Sequence, residues 1–195
     1  MSNAEMWNER YRSTDSLWIG EPDNSLVEAV STLLVGSAVD IGAGEGRNSI
    51  YLARNGWSTT SVDFSEVALS RLQQVIDREE LSGKTVLMDV VEYLSSPEVF
   101  DLTLMANMHP PIDQRRLLYE GLLRSTRPGG YIFITGHHKE SLGFAGPANI
   151  DMLIDEDEIR SFFGDSVDYL RLEKTVDVAD HGHSAPNLVA FLRRH

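Results

Sequence analysis

The chain has 195 residues, 42% of them hydrophobic, which predicts a single domain over 1–195, with a cap segment and first helix at 1–36 and a core sheet at 37–195. The absence of cysteine excludes disulfides, thiolate catalysis and sulfur-ligated metal sites, and it is typical of a reducing, cytoplasmic setting. The net charge of −13 disfavours nucleic acid as a partner, and no apolar run approaches the roughly 18 residues that a membrane span needs.

Helical and strand patterns alternate along the chain. The first predicted helix begins near Asp23, carries Leu34 on its apolar face and stops at Gly36. Further helices are predicted at 48–55, at 65–76, around 117–122 and at 155–164, and strands at 38–41, 57–62, 84–88, 99–108, 131–135, 167–175 and 187–192. This order predicts an α/β fold: a doubly wound, mostly parallel seven-stranded sheet with helices on both faces, which binds ligands at the carboxyl ends of its strands.

The helix at 155–164 has the clearest end signals. Asp155 is placed to cap its first turn, with Glu158 three residues further on. Ile154 and Ile159 occupy the positions of a hydrophobic staple, and Gly164 ends the helix. By contrast, the predicted strand WSTTSV at 57–62 is more polar than a strand buried on both faces of a parallel sheet usually is.

A glycine-rich turn, VDIGAGEGRNS, follows the first predicted strand. Its glycines, Gly42, Gly44 and Gly46, indicate a backbone with positive φ angles or in close approach to a ligand, and a strand–glycine turn–helix unit is how α/β proteins hold nucleotides. The dinucleotide fingerprint requires a third glycine where Arg47 stands, so an NAD-linked oxidoreductase is disfavoured. The turn is not followed by the Gly-Lys-Ser/Thr of a P-loop.

Acidic residues follow the next strands at informative positions. Asp63 lies 19 residues beyond Gly44, where a carboxylate can accept both hydroxyl protons of a ribose. Asp89 is placed to accept from an adenine amino group, with the Val90 backbone against the ring. Asp40 and Glu45 flank the turn, and this acidity favours a ligand with positive charge over a phosphate.

These motifs resemble the class I S-adenosylmethionine-dependent methyltransferases. The likeness covers about residues 7–192, and it rests on VDIGAGEG, SVDFS, MDV, FDLTLMANMHPP and RPGGYIFIT. More narrowly, GRNSIYLARNGW, the leading WNERY and LWIGEPDNSLVE, and MHPP resemble the small tellurite-resistance and thiopurine-type methyltransferases, which act on small molecules. The resemblance implies an enzyme that transfers a methyl group from S-adenosylmethionine to a small-molecule acceptor. A catalytically silent cofactor-binding or scaffold protein is the alternative.

The resemblance also implies which residues contact the cofactor. In that family an aromatic N-terminal segment, here with Trp7, Tyr11 and Trp18, folds over the cofactor, although these side chains would equally serve as simple core packing. Asp40 is expected to orient the cofactor's ammonium, and the turn and the following helix N-terminus to hold its carboxylate. The cofactor-binding set is predicted to be Asp40, Gly42, Ala43, Gly44, Gly46, Asn48, Asp63, Phe64, Asp89, Val90, Asn107, Tyr11 and Trp18.

The histidines give weaker signals. His109, in the loop after the fourth strand, is the best-placed candidate for a general base, and the alternative is a side chain that only lines the wall of the site. The HGH stretch at 181–183, considered together with His137 and His138, does not predict a metal site because Gly182 and the nearby proline indicate a loop. We expect that the protein binds no metal ion and that it is a monomer or a homodimer.

Overall fold

The computed structural model describes residues 2–17, 20–95, 98–178 and 184–195. Seven helices and seven strands are assigned within these ranges. The helices are α1 Asn3–Arg12, α2 Asn24–Val30, α3 Arg47–Arg54, α4 Glu66–Arg78, α5 Val90–Ser95, α6 Ile112–Ser125 and α7 Glu156–Phe163. The strands are β1 Ser37–Ile41, β2 Ser58–Asp63, β3 Gly83–Leu87, β4 Phe100–Ala106, β5 Thr126–His137, β6 Val167–Val178 and β7 Ser184–Arg194.

The seven strands form one sheet in the order β3-β2-β1-β4-β5-β7-β6. The pairs β1–β2, β2–β3 and β4–β5 are parallel, whereas β7 runs antiparallel to both β5 and β6. The predicted α/β fold with a mostly parallel seven-stranded sheet is therefore confirmed. None of the helices in the described ranges has the length and apolar character needed to cross a membrane.

Residue contacts cluster into two compact units, and the first is Met1–Ser96. Its core contains the fully buried side chains Ile41, Leu52, Trp57 and Leu72. Helix α4 begins at a serine cap, where Ser65 Oγ accepts a hydrogen bond from the Ala68 N–H at 3.2 Å. The carboxyl ends of three consecutive parallel strands, β1, β2 and β3, thus lie side by side in this unit.

The second unit is Pro97–His195. Leu104, Phe133 and Leu192 are buried on its strands, and Phe163 of α7 is buried as well. The predicted end signals of α7 are confirmed: Asp155 Oδ1 accepts a hydrogen bond from the Glu158 N–H at 2.9 Å, and the helix gives way to a single 3-10 turn at Gly164–Ser166.

The structure differs from the sequence prediction at four elements, α1, α2, α5 and β5. Helix α2 ends at Val30 rather than at Gly36, and Leu34 is 94% exposed instead of lying on a buried helix face. Strand β5 begins at Thr126 rather than at Tyr131, because an irregularity in its pairing with β4 takes residues 127–130 into the strand. Helices α1 and α5 are not in the prediction, since α1 lacks a strong apolar period and α5 spans only six residues.

Candidate functional site

The glycine turn follows β1 and is held against β2 by main-chain hydrogen bonds. The N–H groups of Gly42 and Ala43 both donate to the Val62 carbonyl, at 2.8 and 3.1 Å. Gly42, Gly44 and Gly46 have φ angles of 69°, 56° and 81°, in the left-handed region that other residues rarely adopt. The predicted positive φ angles at these glycines are therefore confirmed.

Two of these glycines also allow a close approach of side chains. A Cβ atom at Gly46 would lie 2.4 Å from Leu72 Cδ1, so this glycine lets α4 pack against the turn. A Cβ atom at Gly44 would lie 2.7 Å from the Tyr11 hydroxyl oxygen. The Tyr11 hydroxyl therefore lies directly over the turn, and the residue is 5% exposed.

Helix α3 begins immediately after the turn, with Gly46 as its first cap residue and no capping side chain in the described chain. The first N–H groups of such a helix favour an anion. Asn48, in the first turn, is 4% exposed, and its Oδ1 accepts a hydrogen bond from the Asp23 N–H at 2.9 Å. Asn48 thus connects the start of α3 to the cap of α2.

Asp63, the last residue of β2, is buried and rigidly held. Its Oδ2 accepts a hydrogen bond from the Gly44 N–H at 2.9 Å, and its Oδ1 accepts one from the Ser65 N–H at 2.8 Å. Burial raises the pKa of this carboxyl above its ordinary value, against the opposing effect of the backbone donors. A carboxylate offers about four lone-pair sites, so this group retains capacity for a further donor.

Asp40, near the end of β1, is 4% exposed and accepts a hydrogen bond from Ser49 Oγ at 2.8 Å. Burial raises the pKa of Asp40 to about 6, and the neighbouring Asp63 adds to that rise, although the Ser49 hydroxyl opposes it. Asp40 is therefore close to half-protonated at pH 6. A cation next to this carboxyl would draw off its proton.

Arg71 of α4 makes one of two described attachments of the N-terminal segment, residues 2–17, to that helix. Arg71 donates to Glu45 at 2.6 Å and to the main-chain carbonyls of Tyr11 and Thr14 at 2.9 and 2.7 Å. Glu45 also accepts a hydrogen bond from the Leu17 N–H at 3.0 Å. Because the Glu45 carboxylate is neutralised inside the protein, its charge does not support the argument for a cationic ligand.

A second attachment lies at the amino end of α4. Asn8 Oδ1 accepts hydrogen bonds from Ser65 Oγ at 2.7 Å and from the Val67 N–H at 3.2 Å. Trp7 packs on Tyr11, with the ring centroids 5.9 Å apart. Trp18 lies outside the described residues. The segment that carries Trp7 and Tyr11 is thus docked on the glycine turn and on the start of α4.

The predicted adenine contacts, Asp89 and Val90, follow β3, and Phe64 of the predicted cofactor-binding set follows β2. Asp89 lies two residues beyond the end of β3 and is exposed, and its Oδ1 accepts hydrogen bonds from the N–H groups of Val91 at 2.8 Å and Glu92 at 3.3 Å. One carboxylate oxygen of Asp89 therefore caps the first turn of α5. Val90 is buried, and Phe64 is half-buried beside Asp63.

In the second unit, Asn107 and His109 follow β4. Asn107 is exposed, has a φ angle of +57° and donates its N–H to the Thr135 carbonyl at 2.8 Å. His109 Nε2 accepts a hydrogen bond from the His137 N–H at 3.2 Å. Burial, together with the nearby His137 and Arg115, lowers the pKa of His109 to about 4, so its ring is neutral at pH 7.

The other histidines are engaged or lie outside the described residues. His138 Nδ1 accepts a hydrogen bond from the Glu140 N–H at 3.1 Å, and its Nε2 lies 3.1 Å from Glu156. Residues 181–183 lie outside the described ranges, and within those ranges no group of three or more His, Cys, Asp or Glu could hold a metal ion. The absence of a metal site stays a prediction.

Two features of the structure have no counterpart in the sequence motifs. Arg71, Asn8 and Arg115 each make several buried or half-buried hydrogen bonds, yet no motif or spacing marks them. A polar cleft of about 540 Å³ opens beside α6 and α7, and its lining residues include Arg116 and Lys139. This cleft contains none of the predicted site residues.

Comparison with known proteins supports the resemblance drawn from the motifs. A Haemophilus influenzae protein named probable S-adenosyl-L-methionine-dependent methyltransferase TehB is 27% identical over 111 residues, which span 56% of this chain and 38% of that relative. The structure of TehB from Haemophilus influenzae matches with a TM-score of 0.77 at 19% identity, covering 96% of this chain and 66% of the other. The N-methyltransferase NodS of Bradyrhizobium japonicum, in complex with S-adenosyl-l-homocysteine, matches with a TM-score of 0.76 at 18% identity over 99% of both chains.

The family model described as tellurite resistance protein TehB matches residues 3–183. This range takes in α1 and every strand from β1 to β6, together with the glycine turn, Asp63 and Asp89. The resemblance to the S-adenosylmethionine-dependent methyltransferases of tellurite resistance is confirmed, and the chain belongs to the TehB family.

Proposed function

We propose that this chain is an S-adenosylmethionine-dependent methyltransferase that acts on a small-molecule acceptor. The observation that carries the proposal is the buried Asp63 carboxylate, fixed by the N–H groups of Gly44 and Ser65 at the end of β2. A carboxylate held in this way, beside a glycine turn, has the free lone pairs and the rigidity to accept both hydroxyls of a ribose.

The surrounding groups fit the remaining parts of the cofactor. The uncapped amino end of α3 favours the carboxylate of the methionyl part, and the buried Asp40 favours its ammonium. The Tyr11 hydroxyl over Gly44 provides a further polar group at the turn. The cofactor-binding set remains as predicted: Asp40, Gly42, Ala43, Gly44, Gly46, Asn48, Asp63, Phe64, Asp89, Val90, Asn107, Tyr11 and Trp18.

S-adenosylmethionine supplies, when bound, an electrophilic methyl group on a sulfonium sulfur. The contribution of the chain is to hold the reactants in line and to exclude water, which accounts for much of the acceleration of such displacements. Arg71 holds the N-terminal segment over the turn through the Tyr11 and Thr14 carbonyls. No covalent intermediate with a protein side chain is needed.

The proposal also specifies that the methyl acceptor is a small molecule. It is supported by the resemblance to small-molecule methyltransferases and by the net charge of −13, which opposes binding to a nucleic-acid backbone. The matched region spans only 38% of the length of the curated TehB relative, so that protein's full activity is not transferred to this chain. The cytoplasmic location and the monomeric or homodimeric state stay predictions.

Calorimetric titration with S-adenosylhomocysteine tests cofactor binding. We expect Asp63→Ala to weaken binding by about a hundredfold or more, because two charge-assisted hydrogen bonds to the ribose, worth a few kcal/mol together, are lost. Asp63→Asn keeps the shape of the side chain and serves as the second variant if Asp63→Ala does not fold. Asp165→Ala, at an exposed acid of the second unit, is the matched control. An unchanged dissociation constant for both Asp63 variants would remove the central support of the proposal.

The same titration at pH 6 tests the role of Asp40. Because the pKa of Asp40 is about 6, the free protein carries about half a proton there, and an ammonium beside it should displace that proton. We expect the measured enthalpy to depend on the ionisation enthalpy of the buffer, with about half a proton released per complex, and Asp40→Asn to abolish that dependence. If the wild-type chain releases no proton when it binds S-adenosylhomocysteine, the ammonium of the ligand does not lie beside Asp40.

Turnover separates an enzyme from a silent binder. S-adenosylmethionine is incubated with the chain and a panel of small thiols, amines, alcohols and metalloid oxyanions, and S-adenosylhomocysteine formation is measured. We expect turnover with at least one acceptor class, lost in Asp63→Ala. Tight cofactor binding with no turnover above the Asp63→Ala background on any acceptor would favour the silent alternative.

A further inference from the structure

We infer that Arg71 and Glu45 are positioning residues that couple the glycine turn to the N-terminal segment, residues 2–17. Through this pair, a ligand that fixes the turn also fixes the segment, and a docked segment strengthens the binding of that ligand. The inference rests on the proposed function in one respect, since the ligand that tests it is S-adenosylhomocysteine. It gives a role to Glu45, which the proposed cofactor contacts do not use.

The pair joins three separate pieces of the first unit. The Arg71 guanidinium, on α4, donates from Nη1 to Glu45 Oε1 at 2.6 Å. Its Nη2 donates to the main-chain carbonyls of Tyr11 and Thr14, at 2.9 and 2.7 Å. The second carboxylate oxygen of Glu45 accepts the Leu17 N–H at 3.0 Å. Two side chains therefore connect α4, the glycine turn and the second half of the segment.

The direction of the Glu45 side chain is set by the conformation of the turn. Glu45 stands between Gly44 and Gly46, whose φ angles of 56° and 81° lie in the left-handed region. The Gly44 N–H donates to Asp63 Oδ2 at 2.9 Å, and the Gly46 N–H donates to the Ala43 carbonyl at 2.9 Å. The Glu45 carboxylate thus reaches its partners from a turn held in this shape, and a change of shape would move it away from them.

The segment has little apolar surface to hold it in place by other means. Within residues 2–17, Tyr11 is the one buried residue, and Met6 is 47% exposed. Helix α1 has ten residues, a length at which an isolated helix is marginal in water. Docking therefore depends on polar contacts, namely those of Arg71 and the hydrogen bonds of Asn8 to the start of α4. A segment held in this way opens at a low cost in free energy.

The pair itself is shielded from solvent. The Arg71 and Glu45 side chains are 29% and 15% exposed, so their ion pair is less screened than one on the open surface. The planar guanidinium also suits three acceptors that lie in different directions, which a lysine ammonium on a flexible stem would not hold as rigidly. This geometry favours a fixed connection between the turn and the segment.

Docking matters to the site because it brings Tyr11 to the turn. A Cβ atom at Gly44 would lie 2.7 Å from the Tyr11 hydroxyl oxygen, and Arg71 binds the main-chain carbonyl of the same tyrosine. Loss of the pair releases that carbonyl and, with it, the constraint on the hydroxyl. Because a coupling free energy is reciprocal, the factor by which the ligand favours docking equals the factor by which docking favours the ligand.

Hydrogen–deuterium exchange of the ligand-free full chain tests the hold on the segment. We expect Arg71→Met and Glu45→Ala each to speed exchange in residues 3–14 by about tenfold or more, because an undocked α1 frays. Exchange in β1 and β2 should keep the wild-type rate. Arg78→Met is the matched control, since this exposed arginine of the same helix pairs with Glu79. Unchanged exchange in the segment, or equal acceleration in β1 and β2, would overturn the inference.

The same measurement with saturating S-adenosylhomocysteine tests the coupling. We expect the ligand to slow exchange in the segment by about tenfold in the wild type, a factor within the usual range for coupled sites, and by less than about twofold in Glu45→Ala. If the ligand changes the segment's exchange equally in both proteins, the coupling does not run through Glu45 and the inference is wrong.

Calorimetric titration of single and double variants separates coupling from general destabilisation. Arg71→Met and Glu45→Ala should each weaken S-adenosylhomocysteine binding about tenfold, and the double variant should bind within about twofold of either, because both changes break one connection. Independent effects would add and give about hundredfold weaker binding in the double variant, which would refute the coupling. Arg78→Met should keep the wild-type affinity.

Failure of the proposed function is distinguishable from failure of this inference. If the wild-type chain bound no S-adenosylhomocysteine, the proposed function would fail. The ligand-free exchange rates of Arg71→Met and Glu45→Ala would then still decide whether the pair holds the segment on the turn.

Discussion

Replacement of Arg115 by methionine should be among the most damaging changes in the second unit. Arg115 is fully buried on α6, and its guanidinium makes a bidentate pair with Glu158, through Nε at 2.8 Å and Nη2 at 2.8 Å. The same group donates to the carbonyls of Pro110 and Asp151 at 2.6 Å each and to that of Leu153 at 3.0 Å. One side chain therefore connects α6, the loop before α7 and α7 itself.

The expected loss follows from what Arg115→Met leaves behind. The Glu158 side chain is only 7% exposed and would keep the Tyr119 hydroxyl, at 3.0 Å, as its side-chain donor among the bonds described here. Breaking a buried ion pair by removing one partner costs about 3–5 kcal/mol, because the remaining charge stays buried and uncompensated. A domain of ordinary stability has about 5–15 kcal/mol in total, so Arg115→Met should remove about a third of that stability or more.

Urea denaturation followed by far-ultraviolet circular dichroism measures this loss. Circular dichroism is preferred because the described tryptophans, Trp7 and Trp57, both lie in the first unit. Arg116→Met, at the exposed neighbour on the same helix, is the matched control and should change stability by less than about 0.5 kcal/mol. In the double variant with Glu158→Met the loss should shrink, since no unpaired carboxylate remains. A loss from Arg115→Met no larger than that of the control would refute the reasoning.

Three further predictions concern the first unit. The pKa of Asp40 in the folded protein, about 6, exceeds the ordinary value of 3.8, so protonation of Asp40 stabilises the fold. This stabilisation is fully present below pH 3.8 and is lost as the pH rises through 6. In urea melts between pH 4 and 8, Asp40→Asn should remove this pH dependence, which is worth about 3 kcal/mol. Gly46→Ala should lower the free energy of unfolding by roughly 2 kcal/mol or more in thermal melts, because φ is +81° and Leu72 obstructs the new methyl group. A methyl group at Gly20 meets nothing within 4 Å, so the control variant Gly20→Ala should leave stability nearly unchanged. Arg71→Met should speed chymotryptic cleavage after Trp7 and Tyr11, and a cleavage rate equal to wild type would show that the other contacts suffice.

The fold class could be predicted from sequence, because it depends on local patterns. Alternating helix and strand periods with short connections fix a parallel sheet, and the left-handed glycines of the turn are visible as residue types. The cap of α7 by Asp155 also follows from local chemistry. Strand β2 shows the limit of composition: Thr59, Thr60 and Ser61 are all at most 3% exposed, although their polarity suggested a less buried strand.

Features that depend on distant partners could not be predicted. Arg71 and the carbonyls that it binds are separated by 57 and 60 residues, and no period or motif connects them. Arg115 lies on the same helical face as apolar residues, but its partners come from the loop near 151–153 and from α7. Long charged side chains are mostly exposed, so a buried arginine is an exception that only the tertiary structure reveals.

The acidic residues around the glycine turn show why charge near a site does not by itself identify a ligand. Glu45, Asp63 and Asp89 all accept hydrogen bonds from backbone N–H groups of this chain. Glu45 is further neutralised by Arg71, and Asp89 is exposed and caps a helix, so their charges are largely accounted for within the protein. Asp40 differs from Glu45 and Asp89 because it is buried and its described hydrogen-bond donor is a neutral hydroxyl, although the nearby Arg47 partly offsets the rise of its pKa. Burial raises the pKa of Asp63 as well, but two backbone N–H groups already hold that carboxylate. A positively charged ligand group is therefore favoured most by Asp40, and the calorimetric measurement of its proton tests this expectation.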